Sequence, residues 1–144
     1  MPANVDPIFT GVARVGIAQL AAANTGADLS TNAALVFTGG TNGSKVTAIT
    51  AASTDTSARV VALWLTRSAT SYALTAASVA IASGTDGTTP STNLMGTTLW
   101  PGLSVDGSGQ YYLLLQSGDT LQASMAVAVT AAKEIDVTAT YADY

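Results

Sequence analysis

The sequence contains no cysteine and no histidine. Without cysteine there can be no disulfide framework and no thiolate metal site, and the redox compartment is left open. Without histidine the chain lacks the side chain that titrates near neutral pH, which is also the usual triad base and the commonest metal ligand. Charge is scarce as well. Lys, Arg, Asp and Glu together make up 10% of the 144 residues, against ~25% in a typical soluble domain. The five basic residues, Arg14, Lys45, Arg59, Arg67 and Lys133, are scattered and the net charge is −4. Nucleic-acid affinity depends on clustered basic groups that neutralise phosphates, so no nucleic-acid partner is expected. No apolar run approaches the ~20 residues that cross a bilayer, so no membrane partner is expected either. The start, Met1-Pro2-Ala3-Asn4-Val5-Asp6-Pro7, lacks the basic and apolar regions of a secretory leader. It reads as a chain used without Sec export, or as one whose leader was removed earlier.

What fills the place of charge is Thr, Ser, Gly, Asn and a large share of alanine within the 48% apolar fraction. A surface of this kind sheds its water at little cost, because few ions must be desolvated. It suits a subunit packed against neighbours, and a homo-oligomer is the expected state. The length fits one domain with a core of its own, held by neither metal nor disulfide.

Period-two alternation runs through the chain and predicts an all-β fold. Leu121, Ala123, Met125, Val127 and Val129 alternate with polar or small residues up to Ala131. Ile135, Val137, Ala139 and Tyr141 alternate with Asp136, Thr138 and Thr140. The short link Ala132-Lys133-Glu134 predicts that these two strands form a hairpin. The segments Arg59–Arg67 and Tyr111–Leu115 are apolar on both faces, as covered central strands are. In the first of them Trp64 is expected to fill the core. Further strands are read over Val12–Ile17, Ala34–Thr38, Lys45–Ala52, Ser71–Leu74, Ser78–Ala82 and Asn93–Trp100. Ala18–Ala23 reads as a strand end or loop, with a helical turn as the competing possibility. Turn chemistry separates these runs at Gly39-Gly40-Thr41-Asn42-Gly43, Ser83-Gly84-Thr85-Asp86-Gly87, Asp106-Gly107-Ser108-Gly109 and Ser117-Gly118-Asp119. Asn42-Gly43 reads as a hairpin turn. Eight or nine short strands at this spacing predict a single antiparallel β-sandwich, jelly-roll-like, over residues 11–144, preceded by an N-terminal arm at residues 1–10.

Candidate chemistry is thin. Ser44-Lys45 are adjacent on a strand, so their side chains point to opposite faces and do not form a Ser–Lys nucleophile. Glu134 and Asp136 share a face and read as a solvated strand edge whose charge discourages aggregation, not as a glycosidase pair. Asp86-Gly87 and Asp106-Gly107-Ser108-Gly109 read as turns, since neither supplies the six or more oxygens of a calcium loop. No catalytic residue, cofactor or metal ligand is assigned. The residues expected to contact a partner are Ile8 and Phe9 on the arm and Trp100 before the Pro101-Gly102 turn, because large apolar side chains anchor interfaces.

Several pieces of the chain resemble a group of small virion proteins found among tailed-phage head genes. These are Ala3-Asn4-Val5-Asp6-Pro7-Ile8-Phe9-Thr10, Ala23-Asn24-Thr25, Val36-Phe37-Thr38-Gly39-Gly40-Thr41-Asn42-Gly43-Ser44, Ser117-Gly118-Asp119-Thr120-Leu121 and Ile135-Asp136-Val137-Thr138-Ala139. The resemblance is weakest over Ala69 to Thr98. It implies a β-sandwich decoration or cement subunit that binds the major capsid protein on the outer surface of a phage capsid, often in threefold clusters, so a trimer is the favoured oligomer. No catalytic residue comes with it. The arm would drape over a neighbouring subunit. The alternative reading is a head-spike, tail-tip or fibre domain that binds host surface glycan, with Trp100 beside Asp106 as its site.

Overall fold

Leu121, Ala123 and Met125 carry the alternation that predicts a core face, and all three are fully buried. They belong to one of ten strands in the computed structural model, which describes residues 11–23, 33–96 and 98–144. The strands are β1 (Val12–Leu20), β2 (Ala34–Thr38), β3 (Ser44–Ser53), β4 (Arg59–Arg67), β5 (Thr70–Val79), β6 (Thr92–Asn93), β7 (Ser104–Val105), β8 (Tyr111–Leu115), β9 (Thr120–Met125) and β10 (Ile135–Asp143). The described residues contain no helix.

All pairings are antiparallel and fall into two sheets. The first runs β1-β10-β3-β8-β7, with β6 also on β3; the second runs β2-β9-β4-β5. Setting aside the two-residue strands β6 and β7, the chain changes sheet at every step except β4 to β5. The two four-stranded layers β1-β10-β3-β8 and β2-β9-β4-β5 have the strand order of a jelly roll, two Greek keys wound into a sandwich. The expected all-β sandwich is thus the observed fold.

The core lies between the layers. Val46, Ile49 and Val137 from the first sheet meet Val61, Leu63 and Leu121 from the second, all of them fully buried. On one side the layers close on each other through β1 and β2. A Cβ on Gly16 would stand 2.6 Å from the Val36 carbonyl oxygen, so only glycine lets β1 come this near. Phe37 of β2 stacks on Tyr141 of β10 at a ring separation of 3.8 Å. On the other side residues 94–96 and 98–103 bridge the layers. The Leu94 N–H donates to the Ile49 carbonyl of β3 (2.8 Å) and the Thr75 hydroxyl of β5 donates to the Leu99 carbonyl (2.6 Å). Leu94, Met95 and Leu103 of this segment are buried.

Four expectations are corrected. The pair at the C-terminus is not a hairpin: β9 lies in one sheet and β10 in the other, and residues 126–134 carry the chain across. Likewise Asn42-Gly43 turns the chain from β2 to β3, in opposite sheets, and is no hairpin turn. Trp64 points outward, between the inward Leu63 and Leu65, and its Nε1 donates to the Ser124 hydroxyl at 2.8 Å. Finally, β10 runs between β1 and β3, so Asp136 sits within a sheet and not on its edge. Smaller differences concern strand extents. Ser71–Leu74 and Ser78–Ala82 merge into the single strand β5, Asn93–Trp100 contributes only its first residue to β6, and β1 continues through Ala18 to Leu20.

Candidate docking surface

Three rows of register partners cross the outer face of the first sheet. They are Gln19–Asp136–Ala52, Ile17–Thr138–Thr50–Asn93 and Val15–Thr140–Ala48. The intervening row, Ala18–Val137–Ala51, is buried, so the alternation of the strands turns the first set outward. Val15 and Ile17 are 60% and 62% exposed. Asp136 is the one ionisable group in these rows, and the Gln19 amide donates to it at 3.3 Å. From strand spacing and rise the face covers on the order of 400 Å². That is about half of what one partner contributes to a standard interface of ~800 Å² per side. Apart from Asp136 its side chains are uncharged: Thr, Ala, Val and Ile, together with Gln19 and Asn93.

A cleft of about 280 Å³ opens at the far edge of the same sheet, lined by Trp100, Gly102, Leu103, Ser104, Tyr112 and Leu114 among others. Trp100 is half-buried, its body packed against the core cluster. Leu114 is 53% exposed. The nearest formal charges are already paired: Lys45 Nζ lies 3.7 Å from Asp106 and 4.9 Å over the ring of Tyr112.

Among the described residues, Asp55, Asp86, Asp106 and Asp119 hold loops in place. Asp55 is buried, pairs with Arg59 at 2.6 Å, and accepts from the Thr56 and Thr130 amides at 2.7 and 3.3 Å. Its bond with the Thr130 hydroxyl, then the Arg59 guanidinium, hold its carboxyl well below the usual range against the opposing effect of burial. It thereby fastens the crossing segment 126–134 to the start of β4. Asp119 is also buried and takes a two-pronged contact from Arg67 at 2.8 and 2.6 Å, plus the Gln116 amide at 2.8 Å. The Arg67 bonds depress its pKa. Asp86 accepts from the Thr89 and Thr88 amides at 2.7 and 2.8 Å, and Asp106 from those of Gln110 and Ser108 at 3.0 and 2.9 Å; these bonds lower both carboxyls. Both are turn-forming aspartates, as their sequence context suggests.

Ser44 is buried and donates to Asp143 at 2.6 Å while accepting from the Gly40 amide. Lys45 points to the other face, where Asp106 and Tyr112 meet it. The serine is therefore a strut between a turn and β10. Of the three residues expected to contact a partner, Trp100 lines the cleft, while Ile8 and Phe9 lie outside the described residues. The outward rows are visible in the sequence only for β10, where Thr138 and Thr140 alternate with buried residues. Their neighbours on β1 and β3, and the join of Tyr112 and Leu114 with Trp100, depend on which strands lie side by side. No family model, curated protein or solved structure matches the chain.

Proposed function

We propose that this chain is a structural virion protein, a decoration or cement subunit that binds the major capsid protein on the outer surface of a phage head and stabilises the shell. The observation that carries this reading is the outward face of β1, β10 and β3, where Val15 and Ile17 stand exposed in rows that hold a single ionisable side chain. Such a face is desolvated at little cost on meeting another surface. Two further features support it: the jelly-roll order, which recurs in viral capsid domains, and the likeness of the arm, the turn before β3 and β10 to small virion proteins of phage heads. A face of about half standard size binds weakly alone. Repeated over a shell, with each subunit touching more than one neighbour, it holds through effective concentration. The function is mechanical and needs no titratable nucleophile.

Imaging particles with and without this chain tests the proposal. The expected difference is density repeated over the outer shell. Density confined to a vertex or to the tail would replace the decoration role with that of a spike or fibre.

A further inference from the structure

The cleft at Trp100 lies beside an unfinished sheet edge. Asp106 N–H donates to the Gln110 carbonyl at 2.9 Å, and Ser104 is the register partner of Tyr112. In an antiparallel ladder the residues that bond to one neighbour alternate. Gln110, Tyr112 and Leu114 therefore send their backbone groups to the β7 side of β8. β7 covers only Tyr111 and Tyr112, because the chain turns away at Trp100–Leu103, where the Leu103 N–H donates to the Trp100 carbonyl at 3.1 Å. No strand among the described residues lies beyond β8 at Leu113–Leu115. The N–H and C=O of Leu114 thus face the cleft, beside an aromatic wall. An extended segment laid there would bond to the edge and place side chains alternately in and out of the cleft.

Ten residues precede Gly11, and their point of departure is fixed: a Cβ on Gly11 would stand 2.8 Å from both the Ala142 Cβ and the Asp143 carbonyl oxygen. Val12, Asp143, Ser44 and Leu115 are successive register partners across the sheet. A strand added beyond β8 would therefore lie four strand spacings, about 19 Å, from β1. Phe9 is three residues from Val12 and spans at most ~11 Å; Ile8 spans at most ~14 Å. Neither reaches the cleft of its own chain. We propose that residues 1–10 of a second copy of this chain occupy the edge, hydrogen-bonded at Leu114, with the Ile8-Phe9 pair packed against Trp100. The segment suits such a site: its sole ionisable side chain is Asp6, the charges flanking the cleft are paired, and Pro7 is tolerated on an edge strand because it needs no partner for an N–H.

Donor and acceptor lie on opposite lateral edges of one sheet, so each copy gives its arm to one neighbour and receives another's. Contacts of this head-to-tail kind close into a ring where the rotation between copies permits and otherwise continue as an open filament. The inference deepens the decoration reading by naming one partner as a neighbouring copy, and its test needs no capsid.

The absence of cysteine makes the test direct. Full-length Leu114→Cys protein is mixed with full-length Ile8→Cys or Phe9→Cys protein under mild oxidation. A directly opposed pair brings two Cα atoms within the reach of a disulfide, so a mixed disulfide dimer is expected from at least one mixture. Thr138→Cys, on the outer face, should give none with either arm variant. Alongside, Phe9→Ala should weaken self-association in sedimentation equilibrium about tenfold or more, as loss of an interface anchor does. Absence of any mixed disulfide between variants that keep the wild-type spectrum overturns the inference. So does ring closure within a single Ile8→Cys/Leu114→Cys chain at high dilution, which would show that the arm folds back on its own subunit. Capsid attachment without cross-linking removes the arm exchange alone, and cross-linking without capsid attachment removes the decoration reading alone.

Discussion

Asp55 and Asp119 show how few ionic contacts this chain needs when each is placed at a junction. Both are buried, and both tie a segment leaving a strand to an arginine on β4. Their pKa values lie below the ordinary carboxylate range, as do those of Asp86 and Asp106. The unfolded chain therefore binds more protons than the folded one as pH falls, and stability rises with pH through the acid range. The stabilisation is complete above the unfolded value of about 4 and is lost as pH drops through the lower folded values. No histidine titrates between about pH 5 and 7. Thermal melts should be level from about pH 5 to 7 and fall steeply below about pH 4, and Asp119→Asn should lower Tm at neutral pH while shrinking that acid slope. A step in Tm near pH 6 would contradict this. Trp64 makes a second prediction at this scale. Its indole donates to the hydroxyl of Ser124, which is fully buried. Trp64→Phe leaves that hydroxyl without its donor and should destabilise the fold by about 1–3 kcal/mol in chemical denaturation. Adding Ser124→Ala should recover part of the loss, because the orphaned group is then gone.

Strands were legible in the sequence wherever one side chain in two meets the core, and less so where pairing decides. β2, β4 and β8 have the limits their patterns predict, although β8 is not the covered central strand expected, since only β7 lies beyond it and Leu114 is exposed; β10 keeps Ile135, Val137 and Ala139 fully buried. The failure at Val127 is instructive. Its alternation with Met125 continues, yet it is 58% exposed. Met125 pairs with Val61, so residues beyond it would meet only Val60 and Arg59, where β4 begins. The ladder runs out before the pattern does, and the chain crosses to the other sheet. A short polar link cannot reveal this, because period two describes a strand's faces and says nothing of its neighbours. The candidate site was less legible for the same reason. Trp100 stood out as a large ring before a turn, whereas the edge at Leu114 exists only because β7 stops early. Gly16 offers a test at the level of elements. The close approach of β1 to β2 leaves no room for a Cβ beside the Val36 carbonyl. Gly16→Ala should force the two strands apart and destabilise the protein by about 1–3 kcal/mol, the usual range for overpacking. A neutral result in denaturant titration would mean that the contact between β1 and β2 is looser than these distances state.

For the whole molecule, the distribution of charge is more telling than its total. The ion pairs Asp55–Arg59 and Asp119–Arg67 sit at the ends of strands, and Lys45–Asp106 flanks the Trp100 cleft. The three rows from Gln19 to Val15 across β1, β10 and β3 hold Asp136 alone, and Lys45, outward in the next row, is paired with Asp106. A jelly roll built this way has its loops fixed by charge and one face that carries little of it. If that face is what meets the capsid, introducing charge there separates folding from attachment. Ile17→Lys and Thr138→Lys each place an ammonium on an outward position; the two are register partners, and Thr138 lies between Asp136 and Thr140 on the same strand face. Folding leaves these positions facing water, so each substitution should change stability by no more than about 0.5 kcal/mol. Burial against a partner surface must instead strip the new charge of its water, with no carboxylate in the facing row except Asp136. Co-sedimentation with capsids should therefore fall about tenfold or more for each variant, and the double variant should not bind. Lysine at Asn42, exposed on the turn between β2 and β3, serves as the control for added positive charge and should bind as the unmodified chain does. Equal attachment of Ile17→Lys, Thr138→Lys and the control would move the contact away from this face and leave the cleft edge as the surface to test.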